Sequence, residues 1–408
     1  MHILFLTDNF PPEVNAPANR TYEHAKHWVA QGHNVTIITC APNFPKGIVF
    51  SGYQNKLIQF EVVDGINVIR VWSFLSPNSG FLLRLFDHIS YAVMAIFGAF
   101  FVRSVDVVIG TSPQFFTIMA AFVVSKVKKR KFVFELRDLW PASLKAVGLT
   151  QNDYLINSIE KVELFLYRRA DLIVAVTDSF KKNLISRGID CKKIKVVTNG
   201  VSMDAFTPQK KNRELLKELD LQHDFVCGYL GTHGLAHGLT TVLDTAELLE
   251  RQNITDVKIL FLGDGARKDE LIADAEKRKL SNVIFLPTVG KDRIVDYWSV
   301  LDVSIVHLKK DDLFKEVIPS KIFESIAMGK PVVHGVEGES AMLIKRIGAG
   351  LVVPPEDPEC MLDAILKLKT NKLLYRQLSQ AASQGAVEFR RDKLAGRMLS
   401  YLVEYGLR

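Results

Sequence analysis

The order of hydrophobic and polar residues along the chain predicts alternating strands and helices. Short runs rich in β-branched residues alternate with stretches whose apolar residues recur at helical spacing. Parallel sheets covered by helices have this pattern. In the first half, strands are predicted at 2–7, 34–39, 68–73, 105–112, 131–136, 171–177 and 194–198. In the second half, they are predicted at 225–230, 257–262, 283–286, 303–308, 331–334 and 350–353.

Two Rossmann-like domains of an α/β protein are the simplest account of these strands, because 408 residues is long for a single core. The boundary is predicted in TNGVSMDAFTPQKKN, where a strand ends in Asn-Gly and a polar stretch with Pro208 follows. We therefore assign residues 1–200 to an N-terminal domain and 201–387 to a C-terminal domain. Since ligands of open parallel sheets bind at the carboxyl ends of the strands, the domains are expected to face a central cleft.

The segment FLLRLFDHISYAVMAIFGAFFV, residues 81–102, is almost wholly apolar after Ser90. Its uninterrupted part, from Tyr91 to Val102, is much shorter than the ~20 residues needed to span a bilayer. Two interpretations stay open. The segment is either a buried core helix or a helix whose exposed apolar face lies in the membrane interface.

The net charge of +7 is concentrated in the first half, where residues 1–200 carry 23 Lys and Arg against 15 Asp and Glu. The densest group comprises Lys126, Lys128, Lys129, Arg130 and Lys131. It is either a solvated loop or a surface attracted to an anionic membrane; nucleic acid is not expected as a partner.

The four cysteines lack the spacing of a disulfide framework or a zinc site. The opening apolar run is too short for a signal peptide, so a cytoplasmic chain is expected.

Two strand-loop-helix passages in the second half are rich in glycine. We call residues 231–238 (GTHGLAHG) the first glycine loop and residues 263–267 (GDGAR) the second. Small residues before a helix let backbone amides approach an anion, so the first loop is a candidate phosphate cradle. Neither loop fits GxGxxG or the P-loop, which disfavours a nicotinamide cofactor or a P-loop nucleotide site.

A pair of glutamates, Glu316 and Glu324, lies in the stretch FKEVIPSKIFESIAMGKPVV. Ser320 is predicted as the N-cap of a helix, which places Ser320 and Glu324 on one helix face. A ligand at this helix start would meet free amides, Lys321 and both carboxylates. Amides and Lys321 suit a diphosphate, whereas carboxylates suit the hydroxyl groups of a sugar.

With its Glu-x7-Glu spacing and SKIFESIAMGKPVV, this stretch resembles the donor-site motif of the retaining glycosyltransferases of family 4, which have the two-domain GT-B fold. The resemblance covers nearly the whole chain, since DNFPPEVNAPANR, GHNVTIIT, ELRDLWP, the NGV linker and LGDG occur in family order. ELRDLWPAS and GTHGLAHGL are most similar to the bacterial surface-polysaccharide branch, which includes the WbuB-type N-acetyl-L-fucosamine transferases.

The resemblance implies a role for individual residues. Glu324 would hold the ribose hydroxyls of a nucleotide diphosphate, Glu316 the donor sugar, and Val289 would lie beside the base. The implied donor-binding residues are Glu324, Ser320, Pro319, Ile318, Gly231, Thr232, His233, Gly234, His237, Gly238, Gly263, Gly265, Arg267 and Val289. The implied catalytic residues are Glu316, Lys321, Asp138 and Arg137, and the implied acceptor-side residues are Asn15, Ala16, Pro17 and Arg20.

Two positions depart from the family pattern. Many members have an Arg and Lys pair where this chain has His233 and His237, and the usual His-Asp pair reads Arg137-Asp138. An unperturbed imidazole has a pKa of ~6.5, so both histidines are expected to be largely neutral donors at pH 7. Lys321 would then carry more of the charge of the leaving diphosphate.

The family resemblance implies a retaining transfer of a sugar from a UDP-sugar to a polyprenyl-diphosphate-linked acceptor, in O-antigen or capsule biosynthesis at the inner face of the cell membrane. An N-acetylated deoxyhexose is one candidate sugar. A phosphate oxygen of the leaving group would help to take the acceptor's proton, with Asp138 as the alternative base. The last helix, around 388–408, is expected to pack on the N-terminal domain.

No two aspartates lie two positions apart, so the Asp-x-Asp metal site common in GT-A enzymes is missing. We expect a reaction that needs neither metal nor cofactor, with cations and amides stabilising the leaving group. Two alternatives stay open: a sugar-nucleotide epimerase of similar build, and a catalytically silent subunit that binds nucleotide sugar.

Overall fold

The computed structural model describes residues 1–44, 46–76, 81–142, 153–290 and 292–406. The chain divides into two compact units, one formed by Met1–Asn199 with Arg391–Arg408 and the other by Gly200–Arg390. We call them the first and the second unit. The break after Asn199 lies inside the linker predicted from the sequence, and the break after Arg390 lies close to the predicted boundary at 387. Ser143, the last residue of ELRDLWPAS, and residues 407–408 lie outside the described residues.

The first unit is built on an eight-stranded sheet. Its strands are β1 (His2–Leu6), β2 (Asn34–Cys40), β3 (Ile58–Val63), β4 (Ile66–Val71), β5 (Val107–Thr111), β6 (Lys131–Leu136), β7 (Leu172–Ala175) and β8 (Ile194–Val196). They are ordered β3-β4-β2-β1-β5-β6-β7-β8. Its helices before the linker are α1 (Ala16–Ala30), α2 (Phe81–Ala99), α3 (Phe115–Val127), α4 (Asp153–Arg169) and α5 (Asp178–Ser186). The strands pair in parallel except β3 with β4.

The edge strand β3 is missing from the strands predicted above. It pairs antiparallel with β4 across Asp64-Gly65, where both residues have positive φ, 48° and 79°. A two-residue turn of this kind is the hairpin connection that Asp-Gly favours. The Asp-Gly pair between IQFEVV and INVIRV was therefore the signal that the hydrophobic pattern alone did not supply.

The second unit has a six-stranded, all-parallel sheet. Its strands are β9 (Phe225–Leu230), β10 (Val257–Leu262), β11 (Val283–Leu286), β12 (Val303–His307), β13 (Val332–Gly335) and β14 (Gly350–Val352). Its helices are α6 (Arg213–Glu218), α7 (Thr240–Arg251), α8 (Lys268–Lys277), α9 (Ile294–Val300), α10 (Lys321–Ala327), α11 (Glu339–Ile347), α12 (Pro358–Thr370) and α13 (Lys372–Ala386). The order β11-β10-β9-β12-β13-β14 is that of a Rossmann sheet, with its topological switch point between β9 and β12.

The central strands of the second sheet are apolar and buried. Strands β9 and β12 are almost entirely buried, as expected for central parallel strands. Within β9, a Cβ on Gly228 would lie 2.4 Å from both terminal methyl groups of Leu301, so the strand approaches its neighbour at a distance that only glycine allows. The predicted α/β class with two Rossmann-like domains is confirmed.

The last helix, α14 (Arg391–Gly406), belongs to the first unit and packs on α1. Trp28 of α1 is fully buried, and its Nε1 donates a hydrogen bond to the carbonyl of Ala395 at 2.9 Å. Leu394, Met398 and Leu402 complete the same hydrophobic cluster. Helix α14 is therefore part of the core of the first unit.

Candidate active site at the switch point of the second unit

The candidate site is formed where two chain segments leave the sheet of the second unit on either side of its switch point. The first glycine loop follows β9, and the segment 308–320 follows β12. Because the strands are parallel, both segments leave the same edge of the sheet, where ligands of such sheets bind. The family-implied donor residues of both segments thus belong to one region of the second unit.

The second glycine loop packs directly against the first one. A Cβ on Gly263 would lie 2.0 Å from the carbonyl oxygen of Gly231, and a Cβ on Gly265 would lie 2.6 Å from that of His233. The His233 amide donates to Asp264 O, and the Arg267 amide donates to His233 O, both at 2.9 Å. Glycine is thus needed at 263 and 265 because two backbones touch, a structural reason separate from ligand contact.

Lys321, the first residue of α10, points its ammonium group toward the first glycine loop. Nζ lies 3.4 Å from the centroid of the Tyr229 ring, and a Cβ on Gly231 would be 3.3 Å from it. Nζ is buried and has no hydrogen-bond partner among the residues that the structure describes. Burial lowers the pKa of Lys321 to about 7, although the carboxylate of Glu324 acts in the opposite direction. A cation lies here without a hydrogen-bonded anion.

The two histidines of the first glycine loop are neutral at pH 7, as expected from the sequence. Burial, followed by Lys268 and Lys321, lowers the pKa of His233 to about 4, and burial lowers that of His237 well below its usual value. The His233 ring packs against Tyr229 and Phe261, with centroids 5.8 and 5.9 Å apart. Neither histidine supplies positive charge at pH 7. Lys268 near this loop already donates to the carbonyls of Gly263 and Leu286, whereas Lys321 has no hydrogen-bond partner among the described residues.

His307, at the carboxyl end of β12, connects several segments of the site by hydrogen bonds. The sequence analysis did not predict this role. Its Nδ1 donates to the carbonyl of His237 at 2.8 Å, and its Nε2 accepts from the Glu356 amide at 3.0 Å. A Cβ on Gly335 would lie only 2.5 Å from its ring. His307 therefore fixes the first glycine loop to the ends of β12 and β13. The sequence feature that could have indicated this role is a polar residue at the end of the buried apolar strand VSIVH.

The segment that carries Glu316 is held by packing and by ion pairs. Glu316 ends a 3-10 turn, Asp312–Glu316, and Lys315 in that turn pairs with Glu337 at 3.4 Å. A Cβ on Gly338, where φ is 78°, would lie 2.0 Å from the carbonyl oxygen of Lys315. This close contact fixes the turn against the start of α11.

The helix start after Glu316 differs from the prediction in one respect. Ser320 occupies the N-cap position of α10, but its side chain makes no capping hydrogen bond. Ile318 is buried, and the carbonyl of Pro319 accepts from the Ile322 amide at 3.1 Å. Glu324 lies in the first turn of α10, close enough to Lys321 to influence its pKa.

Other residues implied by the resemblance have partners within the second unit. Arg267 pairs with Glu270, with Nη2 2.5 Å from Oε1, so its charge is already balanced. The carbonyl of Thr232 accepts from the Tyr229 hydroxyl at 2.7 Å. Val289 is partly buried against the cluster that contains Trp298. Gly234 and Gly238 flank the short 3-10 turn Leu235–His237 of the first glycine loop.

In the first unit, Arg137 and Asp138 follow β6. Their amides donate to Ser112 Oγ at 2.8 and 3.3 Å, which fixes the backbone at this strand end. Within the described part of the chain, Nε and Nη1 of Arg137 are buried and lack a hydrogen-bond partner. Burial lowers the pKa of Arg137 to about 10, with Glu135 acting in the opposite direction. The guanidinium group stays charged at pH 7 and can still accept an anionic partner.

Of the residues implied for the acceptor side, Arg20 has a structural role. Its Nε donates to Glu135 Oε1 at 2.9 Å, Nη1 donates to Thr198 O at 2.7 Å, and Nη2 donates to Val197 O at 3.0 Å. Each nitrogen of this buried side chain thus has a partner, and Arg20 joins α1 to β6 and to the residues that follow β8. Its contact with the acceptor stays a prediction.

Asn15, Ala16 and Pro17 form the start of α1. Asn15 is the N-cap, where Oδ1 accepts from the Ala18 amide at 2.9 Å and Nδ2 donates to Asn9 Oδ1 at 2.7 Å. Proline in the first turn suits a helix start because its nitrogen has no hydrogen to leave unsatisfied. These residues therefore shape the loop after β1, and a direct contact with a ligand is a separate proposal.

The sequence analysis also did not predict a group of carboxylates at the switch point of the first unit. Asp8 follows β1 and accepts from the hydroxyl of Thr117, and it lies 3.2 Å from His88 Nδ1. Burial raises the pKa of Asp87 to about 6 and that of Glu13 to about 7. Within the described residues, no group of three or more His, Cys, Asp and Glu side chains is placed to hold a metal ion.

Comparisons with known proteins find glycosyltransferases along most of the chain. Residues 18–205 match the model of Glycosyltransferase Family 4, and residues 211–385 match that of Glycosyl transferases group 1. The chain is 24% identical over 381 residues to the putative colanic acid biosynthesis glycosyl transferase WcaI of Escherichia coli K12, covering 90% of this chain and 91% of that protein.

Solved structures of glycosyltransferases share the fold. Sucrose-phosphate synthase from Thermosynechococcus elongatus matches with a TM-score of 0.78 and 14% identity, covering 99% of this chain and 98% of that one. Anabaena Alr3699/HepE in complex with UDP and glucose matches with a TM-score of 0.74 and 18% identity, covering 98% of each chain. These structures show that the chain has the GT-B fold. The two family matches, which together cover most of the chain, identify it as a glycosyltransferase. The family 4 match lies almost wholly in the first unit and the group 1 match in the second unit.

Proposed function

We propose that this protein transfers a sugar from a UDP-sugar to an acceptor with retention of the anomeric configuration. The observation that carries the proposal is the buried ammonium group of Lys321, which lies beside the first glycine loop and has no hydrogen-bond partner in the described residues. A buried charge without a partner is costly to the folded state. A diphosphate at the switch point would supply the missing anion, and the protein of known structure with UDP and glucose, HepE, shares the fold.

We assign the roles at the site by their chemistry. Lys321 pairs with the diphosphate and stabilises its charge as the bond to the sugar breaks. Glu324, one turn along α10, accepts hydrogen bonds from the ribose hydroxyls, and Glu316 accepts them from the donor sugar. Amides of the first glycine loop complete the contacts with the diphosphate. The seven-residue α10 is short, so its dipole contributes less than the lysine charge.

The proton of the acceptor hydroxyl goes to a phosphate oxygen of the leaving group in this proposal, and no metal or cofactor takes part. Asp138 is the competing base. Asp138→Asn should leave turnover almost unchanged if the phosphate takes the proton. A loss of nearly all turnover with donor affinity retained would assign the proton transfer to Asp138.

For the acceptor we propose a saccharide linked to polyprenyl diphosphate, in the synthesis of a bacterial surface polysaccharide at the inner face of the membrane. The name of WcaI, which matches along most of its length, supports polysaccharide synthesis. The basic character of residues 1–200 suits an acceptor held at an anionic surface. An N-acetylated deoxyhexose is the donor sugar we would test first.

The proposal is tested by combining a panel of UDP-sugars with polyprenyl-diphosphate-linked saccharides. Thermal denaturation first selects the donor, because a ligand that binds only the native state raises the melting temperature. Incubation with the selected donor should then give an extended lipid-linked product with the α or β configuration of the donor retained. Release of free sugar or an isomer without acceptor would indicate an epimerase, and binding without any product would indicate a silent subunit.

A further inference from the structure

The first unit has a large exposed apolar surface that the proposed chemistry does not use. Helix α2 is buried on one side, where Tyr91 donates to the carbonyl of Ile38 at 2.8 Å and Gly98 packs against Val71. On its outer side a stripe of apolar residues recurs every three or four positions. The stripe consists of Leu83, Phe86, Ile89, Val93, Phe97 and Phe100, each at least 37% exposed.

The hairpin of β3 and β4 extends this surface beyond the helix. Phe60 and Val62 alternate along β3 and are 64% and 68% exposed, and Leu57 before the strand is 70% exposed. Phe60 makes an edge contact with Phe101, with centroids 5.8 Å apart. A cavity of about 340 Å³ opens beside this pair and is lined also by Val62, Val102 and Arg103. We call the stripe, the hairpin residues and Phe101 together the apolar face.

Basic residues border the apolar face where α2 ends. Lys128 Nζ donates to the carbonyl of Val102 at 2.6 Å, which fixes the end of α3 beside the end of α2. Lys126, Lys129 and Arg130 around it are exposed, as is Arg103. Large exposed apolar patches often mark interaction sites, and the positive charge at the border favours an anionic partner.

We propose that the apolar face is the surface by which the protein docks on an anionic lipid bilayer. Aromatic and aliphatic side chains of α2 and β3 enter the interfacial region, while Arg103 and the basic cluster at 126–130 contact lipid phosphates. This surface would be the part of the protein that contacts the membrane named in the proposed function. The inference rests on the proposed function only for the lipid-linked acceptor. None of the helices in the described residues is both long and apolar enough to cross a membrane.

A second copy of the chain is the competing occupant, because an exposed edge strand invites pairing. The charge at the border argues against it. A two-fold interface brings the same patch of both copies together, so Lys126, Lys129 and Arg130 would face their own like charges. An anionic bilayer instead complements them over the whole border.

The test measures sedimentation of the full chain with vesicles of phosphatidylcholine, with and without phosphatidylglycerol. We expect binding to the anionic vesicles that weakens with salt. Lys126→Gln, Lys129→Gln and Arg130→Gln together should weaken it on the order of a hundredfold, since each basic residue near an anionic surface contributes roughly fivefold. The control replaces three exposed lysines of the second unit, Lys217, Lys277 and Lys372, by glutamine and should bind like the wild type.

A second pair of variants tests the apolar contribution. Phe60→Ser with Phe101→Ser should weaken binding about tenfold at every salt concentration, because it removes insertion and leaves the charges intact. Met342→Ser with Leu373→Ser, at exposed positions of the second unit, is the matched control and should change nothing.

Two results would overturn the inference. One is a wild-type protein that stays in solution with both kinds of vesicle. The other is a dimer by light scattering that Phe60→Ser with Phe101→Ser converts to monomer, which would assign the apolar face to a second copy. The thermal shift with UDP is measured on every variant. It reports on the donor site in the second unit, so its loss would count against the proposed function, while vesicle binding tests the apolar face alone.

Discussion

Arg20 in the first unit and Lys321 in the second are both buried cations, but their surroundings differ. Each of the three nitrogens of Arg20 donates a hydrogen bond to a carboxylate or carbonyl of its own unit. The ammonium group of Lys321 rests on the face of Tyr229 with no hydrogen-bond partner in the described residues. A buried cation whose donors are all used stabilises the fold, whereas one with unused donors indicates a place for a ligand.

The largest effect is expected for Arg20→Met. The substitution leaves Glu135 buried without its ion pair, which typically costs about 3–5 kcal/mol. Chemical denaturation should show this loss, while the folded fraction still binds UDP normally. Arg251→Met, which breaks an exposed pair with Glu247, is the control and should cost less than about 1 kcal/mol. A stable Arg20→Met protein with impaired donor binding would reverse the comparison.

Lys321→Met should act in the opposite way. Loss of the charge that stabilises the leaving diphosphate is expected to lower kcat by about 10²-fold or more. The free energy of unfolding should rise, because a buried cation with a depressed pKa destabilises the folded state at pH 7. Lys330→Met is the matched control. Lys330 is also buried, but it donates to the carbonyls of Ser299 and Leu301, so its substitution should leave UDP affinity unchanged.

Glu324→Gln should have a smaller effect, limited to recognition of the ribose hydroxyls of UDP. A neutral amide accepts a weaker hydrogen bond than a carboxylate, so UDP affinity is expected to fall about tenfold. Titration with 2′-deoxy-UDP gives the control, since the wild type should prefer UDP and the variant should discriminate much less. Equal discrimination by both proteins would remove Glu324 from the ribose. Glu276→Gln, an exposed change on α8, should behave like the wild type.

The smallest effect is a change in protonation. The pKa of Lys321 is about 7 in the folded chain against 10.5 in the unfolded one, so the unfolded state binds more protons between these values. The contribution of Lys321 to the free energy of unfolding therefore rises with pH across this window. A bound diphosphate raises the pKa again. Calorimetry near pH 8, in buffers of different ionisation enthalpy, should show uptake of up to about one proton per UDP, and Lys321→Met should abolish it.

Much of this fold could be predicted because buried parallel strands leave an unmistakable apolar pattern. Strands β9 to β14 match their predicted ranges within two residues at each end. The exception was β3, an edge strand whose half-exposed residues lack such a run. The Asp64-Gly65 pair was the sequence signal for this hairpin, and its positive φ angles agree with the turn that Asp-Gly favours.

The candidate site was predictable in its residues more than in its contacts. The glycine loops and Glu316, Lys321 and Glu324 were found from spacing and from the family resemblance. The contact of Lys321 with Tyr229 could not be predicted, because it joins a residue of β9 to a helix far along the chain. The bridge from His307 to the first glycine loop likewise depends on where two strand ends meet. Such contacts are set by the sheet order, which local sequence does not encode.

We propose that Lys321 binds the diphosphate of the donor, and a comparison of UDP with uridine isolates that contact. Both ligands are titrated into the wild type and Lys321→Met by calorimetry, so that the diphosphate and the lysine form the two sides of a cycle. We expect the wild type to prefer UDP strongly, and the variant to lose most of this preference while binding uridine as before. A Lys321→Met protein that retains the full preference for UDP would contradict it.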